Sequence, residues 1–158
     1  MLHDDFDRFH KRKNPRLKNY DYAQPNCYFV TICTSGKRCI FGKPHQLSPF
    51  GSIARQVFEM VPKHFLDVEL HKFVIMPNHI HAIVNVTKPG TDLSVVIGQY
   101  KAFVTRQIHK ISPKLPIWQV SFHDHVVRGE QDYQRIWQYI DTNPLKWQDD
   151  CFYFSSID

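Results

Sequence analysis

Apolar positions recur along this chain with two alternating periods, and the order of those periods predicts its architecture. The run Cys27-Tyr28-Phe29-Val30-Thr31-Ile32-Cys33-Thr34 is β-branched and aromatic and stops at Ser35-Gly36, which predicts a strand. A loop with Gly42, Pro44 and Pro49 follows. Ile53, Val57, Phe58, Val61 and Phe65 then repeat at helical spacing over 51–65, with Pro62 placed to kink the helix or end it early. Two further strands are expected over 68–76 and 79–86, parted by a tight turn at Pro77-Asn78. A second helix, 92–111, carries the stripe Val96, Tyr100, Phe103, Val104, Ile108 and Ile111. After Pro113 and Pro116 a fourth strand is expected over 117–127. A third helix spans 130–142, with Tyr133, Ile136, Trp137 and Ile140 as its core stripe, and closes at Asn143-Pro144.

The order β-α-β-β-α-β with an appended helix predicts an α+β, ferredoxin-like (split βαβ) fold. Its antiparallel sheet carries two helices on one face and leaves the other face free to work. No repeat, low-complexity tract or change of composition marks a second domain. The expected organisation is a basic arm over 1–24 followed by one domain over 25–158. The arm carries Lys11, Arg12, Lys13, Arg16 and Lys18, and it is either a solvated extension or a clamp on phosphate.

Composition changes this picture modestly. The chain of 158 residues, 42% hydrophobic with 12 Phe, 7 Tyr and 3 Trp, can bury a real core and is not disordered throughout. A formal charge of +5 favours a polyanionic partner such as nucleic acid and says nothing about the fold. Cys27, Cys33, Cys39 and Cys151 form no CxxC pair, so reduced thiols in a cytoplasmic protein are expected. The first residues contain no apolar leader, and no stretch approaches the roughly 20 apolar residues of a membrane span. A soluble protein without a membrane partner is therefore expected.

Candidate chemistry concentrates in Met76-Pro77-Asn78-His79-Ile80-His81-Ala82-Ile83-Val84-Asn85-Val86. Alternation along a strand puts Ile80, Ala82, Val84 and Val86 on one apolar face and His79, His81, Ile83 and Asn85 on the other. The two imidazoles are then near enough to chelate one ion. Taken alone, a His-x-His in a strand is more often a polar pair on an open sheet face. His123-Asp124-His125 in the fourth strand is a second such pair and a competitor for the metal. The third helix is what could cover the His79 face. Tyr139 lies at the edge of its stripe, and Asn143 is one turn further along the same side.

Together these segments resemble the single-tyrosine HUH transposases that act on single-stranded DNA, and within them the REP-associated tyrosine transposases. The resemblance rests on Tyr139-Ile140-Asp141-Thr142-Asn143-Pro144, on Met76 to His81, on Tyr28 to Thr34 and on Phe122 to Arg128, in the family's order, from about residue 20 onward. It implies that 25–158 is a single HUH transposase domain and that Tyr139 is the nucleophile. It also implies that His79 and His81 bind Mg²⁺ or Mn²⁺, with Asn143 as third protein ligand. The expected activity is metal-dependent cleavage and strand transfer on single-stranded DNA through a 5′-phosphotyrosine. The expected substrate is a hairpin of the repetitive extragenic palindrome type, processed by a monomer or a homodimer. Lys11, Arg12, Lys13, Arg16, Lys18, Lys101, Arg106, Lys110 and His125 are candidate DNA contacts. Two alternatives compete: a silent module that binds hairpin or single-stranded nucleic acid, and a Zn²⁺ hydrolase built on His79, His81 and His125.

Overall fold

The computed structural model describes residues 20–22, 24–150 and 152–153. Four strands form one antiparallel sheet: β1 (Asn26–Cys33), β2 (Val68–Met76), β3 (His79–Val86) and β4 (His123–Val126). Their spatial order is β2-β3-β1-β4, with helix α1 (Pro49–Glu59) between β1 and β2 and α2 (Leu93–His109) between β3 and β4. This is the split βαβ, ferredoxin-like arrangement. A third helix, α3 (Gly129–Thr142), follows β4 and runs into a 3₁₀ turn, Asn143–Asp149. A small hairpin, Gly42–Lys43 with Gln46–Leu47, leads into α1. No helix of the described residues is long and apolar enough to cross a membrane.

Local chemistry accounts for the element ends. Ser48 caps α1 by accepting from the Gly51 amide, with Pro49 in the first turn where its missing N–H costs nothing. Helix α1 stops at Glu59 and resumes as a four-residue helix, Val61–His64. Pro62 is the reason, since it has no amide to offer the carbonyl four residues back. Asp92 caps α2 through the Ser94 amide. Gly129 enters α3 at φ 83°, a conformation that L side chains resist.

The sheet separates two cores. On one face Tyr28, Val30, Ile32, Ile80, Ala82, Val84 and Val86 pack with α1 and α2, which contribute Ala54, Phe58, Val96, Ile97, Tyr100, Val104 and Ile108. On the other face Phe29, Cys33 and Ile83 pack with Ile136 and Ile140 of α3 and with Phe152. β1 and β3 are therefore covered on both sides, so both faces of the central strands are buried, whereas the edge strand β4 alternates between buried and half-buried positions.

Some expectations need correction. Phe103 and Ile111 do not belong to the buried stripe of α2 but stand exposed, because the face turned to the core is Leu93, Val96, Ile97, Tyr100, Val104 and Ile108. Trp137 is 37% exposed on α3 and lies under the Lys72 ammonium, 4.1 Å from the ring centroid, rather than in the core. The fourth strand is four residues long, not eleven. Residues 117–119 do run beside β1, through Ser35 N–H to Ile117 O and Gln119 N–H to Cys33 O. The chain then swings outward at the fully exposed Val120 before β4 begins.

Candidate active site between the sheet and the third helix

The site is built where β3, β1 and α3 meet. His79 and His81 project from β3 toward α3, with ring centroids 4.4 Å apart and no solvent exposure. Register places them opposite Cys33 and Thr31 of β1. Each ring has its Nδ1 engaged by an oxygen. Asn78 Oδ1 lies 2.8 Å from Nδ1 of His79, and Thr31 Oγ1 lies 2.8 Å from Nδ1 of His81. Since a carboxamide oxygen only accepts, this contact calls for a proton on Nδ1 of His79 and leaves Nε2 as the atom that faces the site. Asn78 is itself held by donating to the carbonyls of Lys37 and Phe152.

Helix α3 brings Tyr139 to this pair. Ile136 and Ile140 anchor the helix on the sheet, which turns the intervening Tyr139 along the sheet toward the histidines. Its hydroxyl is 3.4 Å from His81 Nε2. Phe29 fills the corner between them, 5.3 Å from the His81 ring and 6.2 Å from the Tyr139 ring. Asn143, one turn on, is buried and donates from Nδ2 to Asp150 Oδ2 at 2.8 Å. Its Oδ1 is buried without a hydrogen-bond partner.

Asp150 was not anticipated from the sequence. Its carboxylate lies 3.7 Å from His79 Nε2, and the donor atoms of His79, His81 and Asp150 all fall within 4.8 Å of one another. Two imidazole nitrogens and a carboxylate this close together form a donor set that fits one divalent cation, and Asn143 is tied to it through its hydrogen bond to Asp150. The sequence signal was faint: an Asp149-Asp150 pair inside an aromatic terminal segment, which only the 3₁₀ turn carries back to β3. Phe152 lies over His79, with ring centroids 4.6 Å apart, and Trp147 is 6.0 Å away.

The second His-x-His pair does not join this group. His125 Nε2 is 2.8 Å from Asp132 Oδ2, on the β4 side of Phe29, its register neighbour. Burial works against the Asp132 carboxylate, but the Arg128 amide, His125 and Arg135 outweigh it and hold its pKa below the usual range. Asp132 thereby ties the start of α3 to β4. His123 pairs with Thr31 across the strands. Burial pushes the Cys33 thiol up to about 12 and, with Glu69 adding, the Cys27 thiol up to about 11. Both are protonated and unreactive at neutral pH.

Lys101, Arg106 and Lys110 belong to the α2 segment on the opposite face of the sheet, so the fold does not bring them to the histidines. Lys101 donates to Gln119 O, Lys110 to Gln107 Oε1, and Arg106 lies over the Phe103 ring. Lys11, Arg12, Lys13, Arg16 and Lys18 lie outside the described residues, as does Cys151.

Comparison with known proteins agrees with this architecture. Residues 26–143 match the family model described as "Transposase IS200 like". An uncharacterized protein of Haemophilus influenzae is 32% identical over 91% of this chain and 94% of its own length. The REP-associated tyrosine transposase of Escherichia coli K12 is 30% identical over 49% of this chain and 45% of its own. A solved REP-associated tyrosine transposase bound to a REP hairpin shares the fold with a TM-score of 0.59 at 21% identity, covering 83% of this chain and 73% of that one. The chain belongs to the IS200-like transposase family.

Proposed function

We propose that this protein is a metal-dependent single-stranded DNA endonuclease and strand-transferase that uses Tyr139 as nucleophile. One observation carries the reading: the Tyr139 hydroxyl lies 3.4 Å from His81 Nε2, beside a cluster of donors suited to a divalent cation. His79, His81 and Asp150 would hold the ion, with the Asn143 amide oxygen as a further ligand. When bound, Mg²⁺ or Mn²⁺ supplies Lewis-acid stabilisation of charge on the scissile phosphate. The mixed nitrogen and oxygen donors favour Mn²⁺ in affinity.

The chain's own residues do the rest. Tyr139 is held at the site by α3 and by Phe29, so nucleophile and phosphate meet without a search. Its oxygen forms a bond to phosphorus as the bond to the 3′ oxygen breaks. The phenolic proton passes to solvent, and the departing oxygen takes one up as a 3′-hydroxyl. The 5′-phosphotyrosine conserves the bond, and a second 3′-hydroxyl can rejoin it because phenolate, with a pKa of about 10, leaves readily. The tyrosine lies beside the histidines of its own chain, which supports cleavage in cis by a monomer. The substrate we infer is a DNA hairpin, the kind of ligand the solved relative is bound to, carrying a single-stranded flank on which the tyrosine acts. Lys101, Arg106 and Lys110, being on the far face, would meet phosphates away from the scissile bond.

A second reading, hairpin binding without cleavage, draws on the full burial of both imidazoles under Phe152. Incubating labelled hairpins of random flank with Mn²⁺ and either wild type or Tyr139→Phe decides between them on a denaturing gel. A DNA-protein adduct from wild type alone supports cleavage; binding with no adduct from either supports the second reading.

A further inference from the structure

Beside the candidate metal site is a group of side chains that neither the metal nor the nucleophile uses. Trp147, on the 3₁₀ turn after α3, is half-buried and packs against the second core. Tyr153 is 40% exposed and meets Trp147 edge to face, with centroids 5.3 Å apart. Phe152 and Trp147 both lie against the His79 ring, with centroids 4.6 Å and 6.0 Å away. The exposed Lys37 places its ammonium 5.7 Å from the Phe152 ring centroid. Aromatic surface left partly open beside a phosphate site, with a cation at its edge, matches what unpaired nucleotides require. Every base has a π-face to stack, and every linkage has a charge to neutralise. Anchoring against the core fixes the Trp147 ring in advance, so little side-chain entropy is lost on binding.

We propose that Trp147 and Tyr153 form a stacking wall for an unpaired base of the DNA flank next to the scissile phosphate, with Lys37 contacting the backbone there. This rests on the single-stranded DNA reading above and adds to it the residues that grip the flank. The wall selects unpaired DNA because a paired base has both faces covered by its neighbours in the duplex.

The test uses the full chain carrying Tyr139→Phe, with Mn²⁺, so that binding is read without cleavage. The probes are a fluorescein-labelled DNA hairpin with eight-nucleotide dT flanks and the same hairpin with abasic flanks, which keep every phosphate. The dT flanks should bind about tenfold more tightly than the abasic flanks. Trp147→Leu should weaken dT binding to the abasic level and leave abasic binding unchanged, whereas Trp147→Phe should keep most of the discrimination. If Trp147→Leu does not fold, Tyr153→Leu at the exposed ring carries the same comparison. Lys37→Ala should weaken both probes equally and flatten the salt dependence. Equal affinity of the parent protein for both flanks overturns the wall, as does an equal loss on both probes in the leucine variants. Failure to bind either hairpin overturns the DNA reading itself.

Discussion

The Thr31 hydroxyl oxygen is 2.8 Å from Nδ1 of His81, and the two residues are direct cross-strand partners of β1 and β3. Through this contact one nitrogen of the ring is occupied and the other is turned toward Tyr139. Partners of this kind fix the orientation and basicity of a ligating imidazole. Thr31→Val, nearly the same shape without the hydroxyl, should lower Mn²⁺ affinity about 10- to 100-fold in a calorimetric titration. Thr31→Ser should restore it. Unchanged affinity in the valine variant would mean that packing alone orients His81.

Removing the nucleophile should separate chemistry from recognition. Tyr139→Phe should form no DNA-protein adduct, yet bind Mn²⁺ and hairpin DNA as wild type does. An adduct from the phenylalanine variant would move the nucleophile elsewhere.

Metal loading should be visible in stability. A ligand at 100 times its dissociation constant stabilises the native state by about 2.7 kcal/mol, so Mn²⁺ should raise Tm, and EDTA should reverse the rise. The shift should vanish in His79→Ala and shrink in Asp150→Asn. If Asp150→Asn keeps the whole shift, Asp150 is a hydrogen-bond partner of Asn143 and not a ligand.

His125 should behave as a structural residue. His125→Ala removes one of the partners of Asp132 and should cost about 1–3 kcal/mol in denaturant melts, with Mn²⁺ affinity kept. Asp132, whose folded pKa is depressed, contributes stability that is fully present above its unfolded value near about 3.9. That contribution is lost as pH falls through the lower folded value. Asp132→Asn should therefore be less stable at neutral pH and show a flatter loss of stability below about pH 4.

The helix that carries Tyr139 is held by few large contacts. Ile136→Ala should cost about 2–5 kcal/mol and reduce adduct formation more than hairpin binding. Equal loss of both would show that α3 has no special part in placing the nucleophile.

The sequence by itself determined the order of the elements and the faces of the strands. Periodicity 2 put Ile80, Ala82, Val84 and Val86 against the helices and the histidines opposite them, because the side-chain period of a strand is a local property. It also gave the strand limits around Pro77-Asn78 without error. Where tertiary packing chooses among locally equal options, the pattern was silent. Trp137 and Phe103 have apolar spacing, yet they fall outside the lines of residues that their helices pack against the sheet. The fourth strand is interrupted where the chain swings outward at Val120, which no local pattern marks. Only the fold decided that Asp150 approaches His79, that Thr31 faces His81, and that His125 is taken by Asp132. The first two are contacts across long sequence separations, set by strand register and by the path of the chain after α3, and the third depends on how α3 leaves β4. Local propensity carries no information about any of these.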